Sequence, residues 1–160
     1  MYKVNGKLEV ICGPMFSGKS EELIRRIRRA VFGKKLIQVF KHSLDDRYSS
    51  ISICSHNGSK INATPVCTSD IFLDLVAKET DVVGIDEIQF FDKDIILAVE
   101  FLMRQGKHVI VSGLDLDFRG IPFGPIPYLL ALADEVTKLK AVCVKSGLEA
   151  NFTQRIINGK

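Results

Sequence analysis

A glycine-rich string of the phosphate-binding type lies near the amino terminus. Residues 13–20 complete the pattern G-x-x-x-x-G-K-[ST], and the mostly apolar run 8–12 comes directly before them. Glycines let the backbone turn so that successive N–H groups point at phosphate oxygens, and a helix that starts there adds its positive end. Lys19 can reach the β- and γ-phosphates, and the Ser20 hydroxyl can hold Mg²⁺. The alternative is an ordinary glycine turn before a helix.

The string therefore predicts a site for a nucleoside triphosphate. The residues expected to bind it are Gly13, Pro14, Met15, Phe16, Ser17, Gly18, Lys19 and Ser20.

Two acids at the end of an apolar strand form the second chemistry-bearing group. Residues 82–87 read Val-Val-Gly-Ile-Asp-Glu, which is typical of a Walker B strand whose carboxylate holds Mg²⁺ directly or through water. We expect Asp86 to serve the metal together with Ser20, and Glu87 to act on a hydroxyl or a water as a general base. The alternative for Glu87 is a solvated acid at a strand end or a partner in a helix cap.

The polar loop 41–50 contains two further candidates. Arg47 offers delocalised charge to phosphate oxygens, and Asp45 can contribute to the outer shell of a metal. A surface turn with a local ion pair fits these residue types equally well.

Phenylalanines lie beside these motifs. Phe90 and Phe91 follow the two acids, and Phe118 and Phe123 lie with Leu114 in the loop 113–127. The chain has ten phenylalanines and no tryptophan. Rings beside a triphosphate site can stack on a flat base, whereas each ring taken alone is explained as a core plug under a loop.

Composition bounds the protein class. At 160 residues and 46% hydrophobic content the chain fits one domain with a proper core. The net charge is +3, and the one dense basic cluster, at residues 25–29, follows Glu21 and Glu22. Glu21 with Arg25 and Glu22 with Arg26 form i,i+4 pairs, so we expect a solvated helix face and no nucleic-acid partner.

The sequence also suggests a compartment. No apolar run reaches 18 residues and residues 1–6 do not resemble a signal peptide, which predicts no membrane partner and a cytoplasmic location. The four cysteines form no close pair and are expected to be reduced thiols.

Alternating strands and helices must position these side chains. Strands are predicted at residues 8–12, 36–40, 51–54, 61–66, 82–86, 109–112 and 136–142, and helices at 18–32, 69–78, 92–104 and 128–133. The first helix should bury Leu23, Ile24, Ile27 and Val31 and end at Gly33, and Ser69 or Asp70 should cap the second. Residues 41–50 are too charged for a core. The alternation predicts an α/β fold of the P-loop NTPase type, with a mainly parallel sheet, helices on both faces and a ligand at the carboxyl ends of the strands.

Six segments carry a family resemblance. They are residues 13–20, Asp-Arg-Tyr at 46–48, Ile-Asp-Glu-Ile-Gln-Phe-Phe at 85–91, Gly-Leu-Asp at 113–115, Pro-Phe-Gly at 122–124 and Lys-Leu-Lys-Ala-Val-Cys at 138–143. In this order and spacing the chain resembles thymidine kinases of the cellular type II family from about residue 7 to 158.

The resemblance implies ATP-dependent phosphorylation of the 5′-hydroxyl of thymidine and a homotetramer as the assembly. The flat, apolar base site also predicts deoxyuridine as an acceptor, and the two phosphate-site motifs predict Mg²⁺ as cofactor. The resemblance makes Glu87 the catalytic base, and it places the nucleotide against residues 13–20 together with Asp86, Glu87, Ile88 and Gln89, to which the residue type of Arg47 adds a further nucleotide-binding candidate. Around the thymine it places Met15, Phe90, Leu114, Phe118 and Phe123, and it makes Phe152, Thr153 and Arg155 the start of the segment that closes over the nucleoside.

The chain departs from that family at its zinc subdomain. The family has two cysteine pairs with a lasso loop between them, but Ser146 stands where Cys143 should have its C-x-x-C partner, and the sequence stops at Lys160. A serine hydroxyl is a poor zinc ligand. We therefore expect a kinase domain at residues 1–142, a remnant of the zinc and lasso subdomain at 143–160, no structural zinc, and looser, less selective binding of thymidine.

Two other function classes fit part of the pattern. One is a P-loop ATPase or regulatory nucleotide-binding module that has lost its acceptor site. The other is a single-stranded nucleic-acid binder that uses the phenylalanines as a stacking platform, against which the modest charge argues.

Overall fold

The computed structural model describes residues 6–44 and 51–158. The strands are β1 (Lys7–Cys12), β2 (Ile37–His42), β3 (Ser52–Cys54), β4 (Lys60–Asn62), β5 (Thr64–Val66), β6 (Val82–Asp86), β7 (His108–Gly113), β8 (Glu135–Lys138), β9 (Ala141–Val142) and β10 (Glu149–Ala150). The helices are α1 (Lys19–Phe32), α2 (Ser69–Leu75), α3 (Ile95–Arg104) and α4 (Ile126–Leu132), with a 3-10 turn at Ile88–Phe90.

Six strands form a parallel sheet in the order β5-β2-β6-β7-β1-β8. Two small antiparallel pairs, β3 with β4 and β9 with β10, lie outside it. Along the chain, β1 and β2 are the first two strands of this sheet. In the sheet itself, β6 and β7 lie between them. In such a sheet the ligand site lies outside the carboxyl ends of the strands, and the fold class expected from the sequence is confirmed.

Successive residues of the central strands face opposite layers. In β1, Leu8 and Val10 belong to the core beneath α2, α3 and α4, whereas Ile11 packs with α1 on the other face. Side chains alternate across a strand, so each buried strand supplies both layers from one continuous apolar run. The site-bearing loops therefore start from strands that are held on both sides.

The predicted polar stretch after β2 is partly wrong. The strand continues to His42, and Lys41 is only 1% exposed, with its ammonium 2.9 Å from the carbonyl of Ser52 on β3. His42 is buried as well, edge-on against the ring of Phe91 at 4.9 Å. A partner distant in sequence buries these two side chains, which local composition cannot reveal.

Two predicted strands are each divided in the structure. The stretch 61–66 separates into β4, which pairs with β3, and β5, which pairs with β2 in the main sheet. The stretch 136–142 separates into β8 beside β1 and β9 beside β10. In both, the chain leaves one sheet and joins another within a few residues.

Helix ends also differ from the predictions. The hydroxyl of Thr68, not of Ser69 or Asp70, accepts from the N–H of Ile71, and α2 ends at Leu75. The third helix begins at Ile95 rather than at 92, and the fourth covers Ile126–Leu132 rather than 128–133. Such shifts of a few residues are the usual error at helix ends.

Helix α1 differs from the prediction at its C-terminal end and on its buried face. Gly33 has φ −74°, and the left-handed residue is the following Lys34 at φ 58°. Val31 is half exposed, so the buried stripe ends at Ile27. Among the described helices α1 is the longest, at 14 residues, and none is long and apolar enough to cross a membrane.

Candidate active site

The phosphate-binding loop connects the carboxyl end of β1 to the start of α1. Gly13 has φ 147°, and a Cβ there would lie 2.5 Å from the carbonyl oxygen of Leu139, so this position requires glycine. Gly18, in the left-handed region at φ 86°, is the N-cap residue of α1. The loop thus turns sharply into a 14-residue helix whose N-terminal N–H groups face the same point.

Side chains of the loop fold back on its own backbone. The ammonium of Lys19 lies 2.7 Å from the carbonyl oxygen of Pro14, and the hydroxyl of Ser17 donates to the same oxygen at 2.6 Å. Phe16 is a non-glycine residue at φ 63°, and its ring is 71% exposed. A left-handed phenylalanine costs about 1–3 kcal/mol, which the surrounding loop must offset.

Asp86 is the buried acid at the carboxyl end of β6. Its oxygens accept from the hydroxyl of Ser20 at 3.1 Å, from the hydroxyl of Ser112, and from the N–H of Glu87 at 2.9 Å. Burial, and next the charge of Glu87, raise the pKa of Asp86 well above its usual range. A cation near this carboxylate would favour its ionised form, and paired hydroxyl and carboxylate oxygens are ligands that suit Mg²⁺.

Glu87 lies in a strained turn directly after that strand. Its φ is 55°, it is buried, and its carboxylate accepts a hydrogen bond from the side-chain amide of Gln89. The side-chain amide oxygen of Gln89 accepts a hydrogen bond from the N–H of Leu114 at 3.1 Å. A Cβ on Gly113 would lie 2.5 Å from that amide oxygen, so Gly113 lets Gln89 bridge the ends of β6 and β7.

A cavity of about 550 Å³ brings these elements together. Among the predicted site residues, its lining includes Met15, Phe16, Gly18, Lys19, Ser20, Glu87, Phe90 and Leu114. The loop that can hold phosphates therefore opens on the same space as the buried acid Glu87 and the apolar side chains of Phe90 and Leu114.

Three predicted aromatic residues lie outside this lining. Phe123 contacts Phe90 edge-on, with the ring centres 5.9 Å apart. Phe118 is half exposed, with the guanidinium of Arg155 5.4 Å from its ring centre. Phe152 is exposed beside Gly120.

The remaining predicted positions fall in three places. The hydroxyl of Thr153 accepts from the N–H of Met15 at 3.0 Å, which ties the C-terminal segment to the phosphate loop. Ile88 is fully buried, and its side chain belongs to the core under α3 and α4. Arg47, with Asp45, lies outside the described residues.

The pairing expected on α1 is only half correct. Arg26 binds Glu22 at 2.8 Å as expected, but Arg25 also binds Glu22, at 2.7 Å. Glu21 instead accepts from the side-chain amide of Asn57 and lines the cavity. Glu21 is therefore exposed, as expected, but it lies at the cavity instead of pairing with Arg25.

The hairpin formed by β3 and β4 was not predicted as part of the site. Its cavity-lining residues are Cys54, Ser55, His56 and Asn57, and Leu44 joins them after β2. The Ser-His-Asn-Gly run indicates a turn, and a turn alone does not reveal what it covers. Ser112, whose hydroxyl binds Asp86, was missed for a similar reason, because a serine inside an apolar strand is usually structural.

The sulfur chemistry is modest. All four cysteines are free thiols, and burial raises the pKa of Cys12 to about 11. Hydrogen bonds from Ser146 lower the pKa of Cys143. Within residues 6–44 and 51–158, no group of three or more His, Cys, Asp or Glu side chains could hold a metal ion.

A comparison with protein families agrees with this geometry. A family model described as thymidine kinase matches residues 6–160, nearly the whole chain. The chain therefore belongs to the thymidine kinase family. Membership makes the protein a kinase that uses ATP and phosphorylates a nucleoside.

Proposed function

We propose that this member of the thymidine kinase family transfers the γ-phosphoryl group of ATP to the 5′-hydroxyl of thymidine, with deoxyuridine as a second acceptor. The observation that carries the proposal is the shared cavity of about 550 Å³. It joins Lys19 and Ser20 on the donor side to Glu87, and Glu87 to Phe90 and Leu114 on the acceptor side. Such an arrangement supports direct transfer between two bound substrates.

Donor binding is assigned to the loop at residues 13–20. Its N–H groups and the N-terminus of α1 bind the phosphates, and Lys19 exchanges its bond with Pro14 for the β- and γ-phosphates. Ile88 contributes through its backbone at most, because its side chain is fully buried in the core. Gln89 acts indirectly, by holding Glu87.

Mg²⁺ is assigned to Ser20 and Asp86. The hydroxyl and the carboxylate already lie 3.1 Å apart, and Mg²⁺ commonly takes one or two protein oxygens together with substrate phosphates. When bound, the metal would neutralise charge on the phosphates. The hydroxyl of Ser112 and the N–H of Glu87 fix the orientation of the Asp86 carboxylate.

Glu87 is assigned the role of general base. It removes the proton of the 5′-hydroxyl as the oxygen attacks the γ-phosphorus, so that the alcohol becomes a better nucleophile. The amide of Gln89 donates to one carboxylate oxygen and so holds the carboxylate at the end of β6.

The acceptor base is assigned to the apolar part of the cavity. Phe90 and Leu114 form its wall, and the ring of Phe123 packs edge-on against Phe90. Met15 carries the link to Thr153, so the C-terminal segment reaches the space between donor and acceptor. A flat, apolar wall accommodates a pyrimidine and its 5-methyl group, while discrimination against cytosine requires hydrogen bonds.

The proposal is tested by incubating the purified chain with γ-labelled ATP, Mg²⁺ and a panel of nucleosides. Labelled thymidine monophosphate, with deoxyuridine second and purine nucleosides weak, is the expected result. Release of labelled phosphate at the same rate with and without nucleoside would instead identify an ATPase without an acceptor. Label found only in another nucleoside monophosphate would refute thymidine as the acceptor.

A homotetramer is proposed from the family resemblance. Exposed apolar side chains at the end of α1 and just beyond it support self-association: Phe32 is 85% exposed, and Val31 and Leu36 are more than half exposed. Sedimentation of the parent chain and of Phe32→Asp tests this, because the charged variant should shift to smaller species if that patch is an interface.

A further inference from the structure

We propose that His56, at the tip of the β3–β4 hairpin, is a contact for the phosphate chain of the donor, and that Phe16 aims its imidazole. This inference rests on the proposed function and adds a residue to the donor side of the same site. It follows from the way the hairpin is anchored, from the ring stack and from the charges that line the cavity.

The hairpin is anchored through residues other than His56. At its base the ammonium of Lys41 binds the carbonyl of Ser52, and Ile53 is buried against the face that packs on α1. Further along, Arg28 binds the carbonyl of Lys60 at 3.2 Å, and Asn57 binds Glu21. These contacts hold the hairpin above the phosphate loop, and none of them is made by His56.

The tip itself carries a ring stack that these anchors do not require. The rings of Phe16 and His56 are 4.5 Å apart, centre to centre, and 26° from parallel. Both side chains are exposed, and Phe16 adopts the strained left-handed conformation. Two exposed rings contribute little to a core, so the stack is best explained by the orientation it imposes on the imidazole.

The charges of the cavity point to the ligand. Among the described residues that line it, Lys19 and His56 are the two that can carry positive charge, while Glu21 and Glu87 are acids. A triphosphate carries several negative charges and needs N–H donors on more than one side. Lys19 lies at the start of α1 and His56 lies on the hairpin, so two separate elements each bring a side chain with N–H donors to the cavity.

Four single variants and one double variant, all checked for an unchanged melting temperature, test the proposal by equilibrium titration with ATP and, separately, with thymidine. His56→Ala should weaken ATP about ten-fold, which corresponds to one hydrogen bond to a charged acceptor, and leave thymidine within about two-fold. His56→Gln keeps an N–H donor and should recover most of the affinity. Lys60→Ala removes a charge from the same hairpin outside the cavity lining and should leave both affinities unchanged.

Phe16→Ala tests the aiming role. In the parent protein it should weaken ATP binding several-fold. In a protein that already carries His56→Ala it should weaken ATP binding by less than about two-fold more, because both substitutions act through the same contact. An unchanged ATP affinity in His56→Ala, an equal loss for thymidine, or a Gln variant no better than Ala would overturn the proposal. These outcomes test the role of His56 and not the proposed function. The proposed function fails if no phosphoryl group is transferred to thymidine, or if Lys19→Ala still transfers it.

Discussion

Replacing Glu87 by glutamine separates chemistry from binding. Glutamine has nearly the same shape, tolerates the same φ of 55° about as well, and can turn its amide oxygen toward the Gln89 amide that now binds the carboxylate. The geometry around β6 is therefore expected to persist, while the proton acceptor is lost. A general base typically contributes about 10²–10⁴ in rate, which equals about 2.7–5.5 kcal/mol of barrier.

The expected result of Glu87→Gln is thus a fall in kcat by that factor, with the affinities for ATP and thymidine nearly unchanged. The fold should not be weakened, because the neutral amide removes a charge beside Asp86 that now raises the pKa of that buried acid. Label transfer at saturating substrates measures kcat, and titration measures both affinities. The exposed acid Glu79, changed to glutamine, is the matched control. A kcat within about three-fold of the parent, or an effect confined to KM for ATP, would refute the assignment of Glu87 as the base.

Three further outcomes follow from the structure. Lys19→Ala should abolish transfer and weaken ATP, as measured by label transfer and titration, because it removes the cation of the phosphate loop; parent-like turnover would contradict the donor site. Gly113→Ala should lower kcat at least ten-fold and the melting temperature as well, because its Cβ would meet the Gln89 amide at 2.5 Å; unchanged kinetics would show that this bridge does not position Glu87. Glu22→Gln should lower the melting temperature at neutral pH but not near pH 2. Hydrogen bonds from Arg25, and then from Arg26, lower the pKa of Glu22 to about 2. The stability that the ionised carboxylate contributes is therefore present above pH 4.5 and is lost as the pH falls toward 2. A melting-temperature difference that stays constant from pH 7 to 2 would contradict this charge pairing.

The sequence predicted the elements whose signal is local. The strand over residues 82–86 was placed correctly because it is a continuous apolar run that ends in acids, and the first helix was placed because its start is set by the glycine of the phosphate loop. The same local signals identified Lys19, Ser20 and Glu87, which line one cavity in the structure.

Features that depend on distant partners could not be predicted in this way. Lys41 looks like a solvated loop residue in the sequence, but it is buried in the structure, where its ammonium donates to the carbonyl of Ser52 on another element. The hairpin that contains His56 was predicted as two strands around a turn, but its position over the phosphate loop comes from contacts with α1 such as Asn57 with Glu21. The contact between the ring of Phe118 and the guanidinium of Arg155 likewise joins residues far apart in the sequence, and the placement of Phe118 beside the base stays a prediction.

Asp86 is held in its place at a cost to the fold. Burial and the neighbouring Glu87 disfavour its charge, and three donors, from Ser20, Ser112 and the N–H of Glu87, offset only part of that penalty, since its pKa remains raised. An apolar residue at the end of β6 would pack more favourably in a protein selected for stability alone. The same buried pair of acids, next to a loop of N–H donors, becomes favourable when a cation and phosphates are bound. Ligands that bind only the folded state add to its stability, so ATP with Mg²⁺ should raise the melting temperature more than ATP alone. An equal rise with and without Mg²⁺ would argue that Asp86 serves the fold and not the metal.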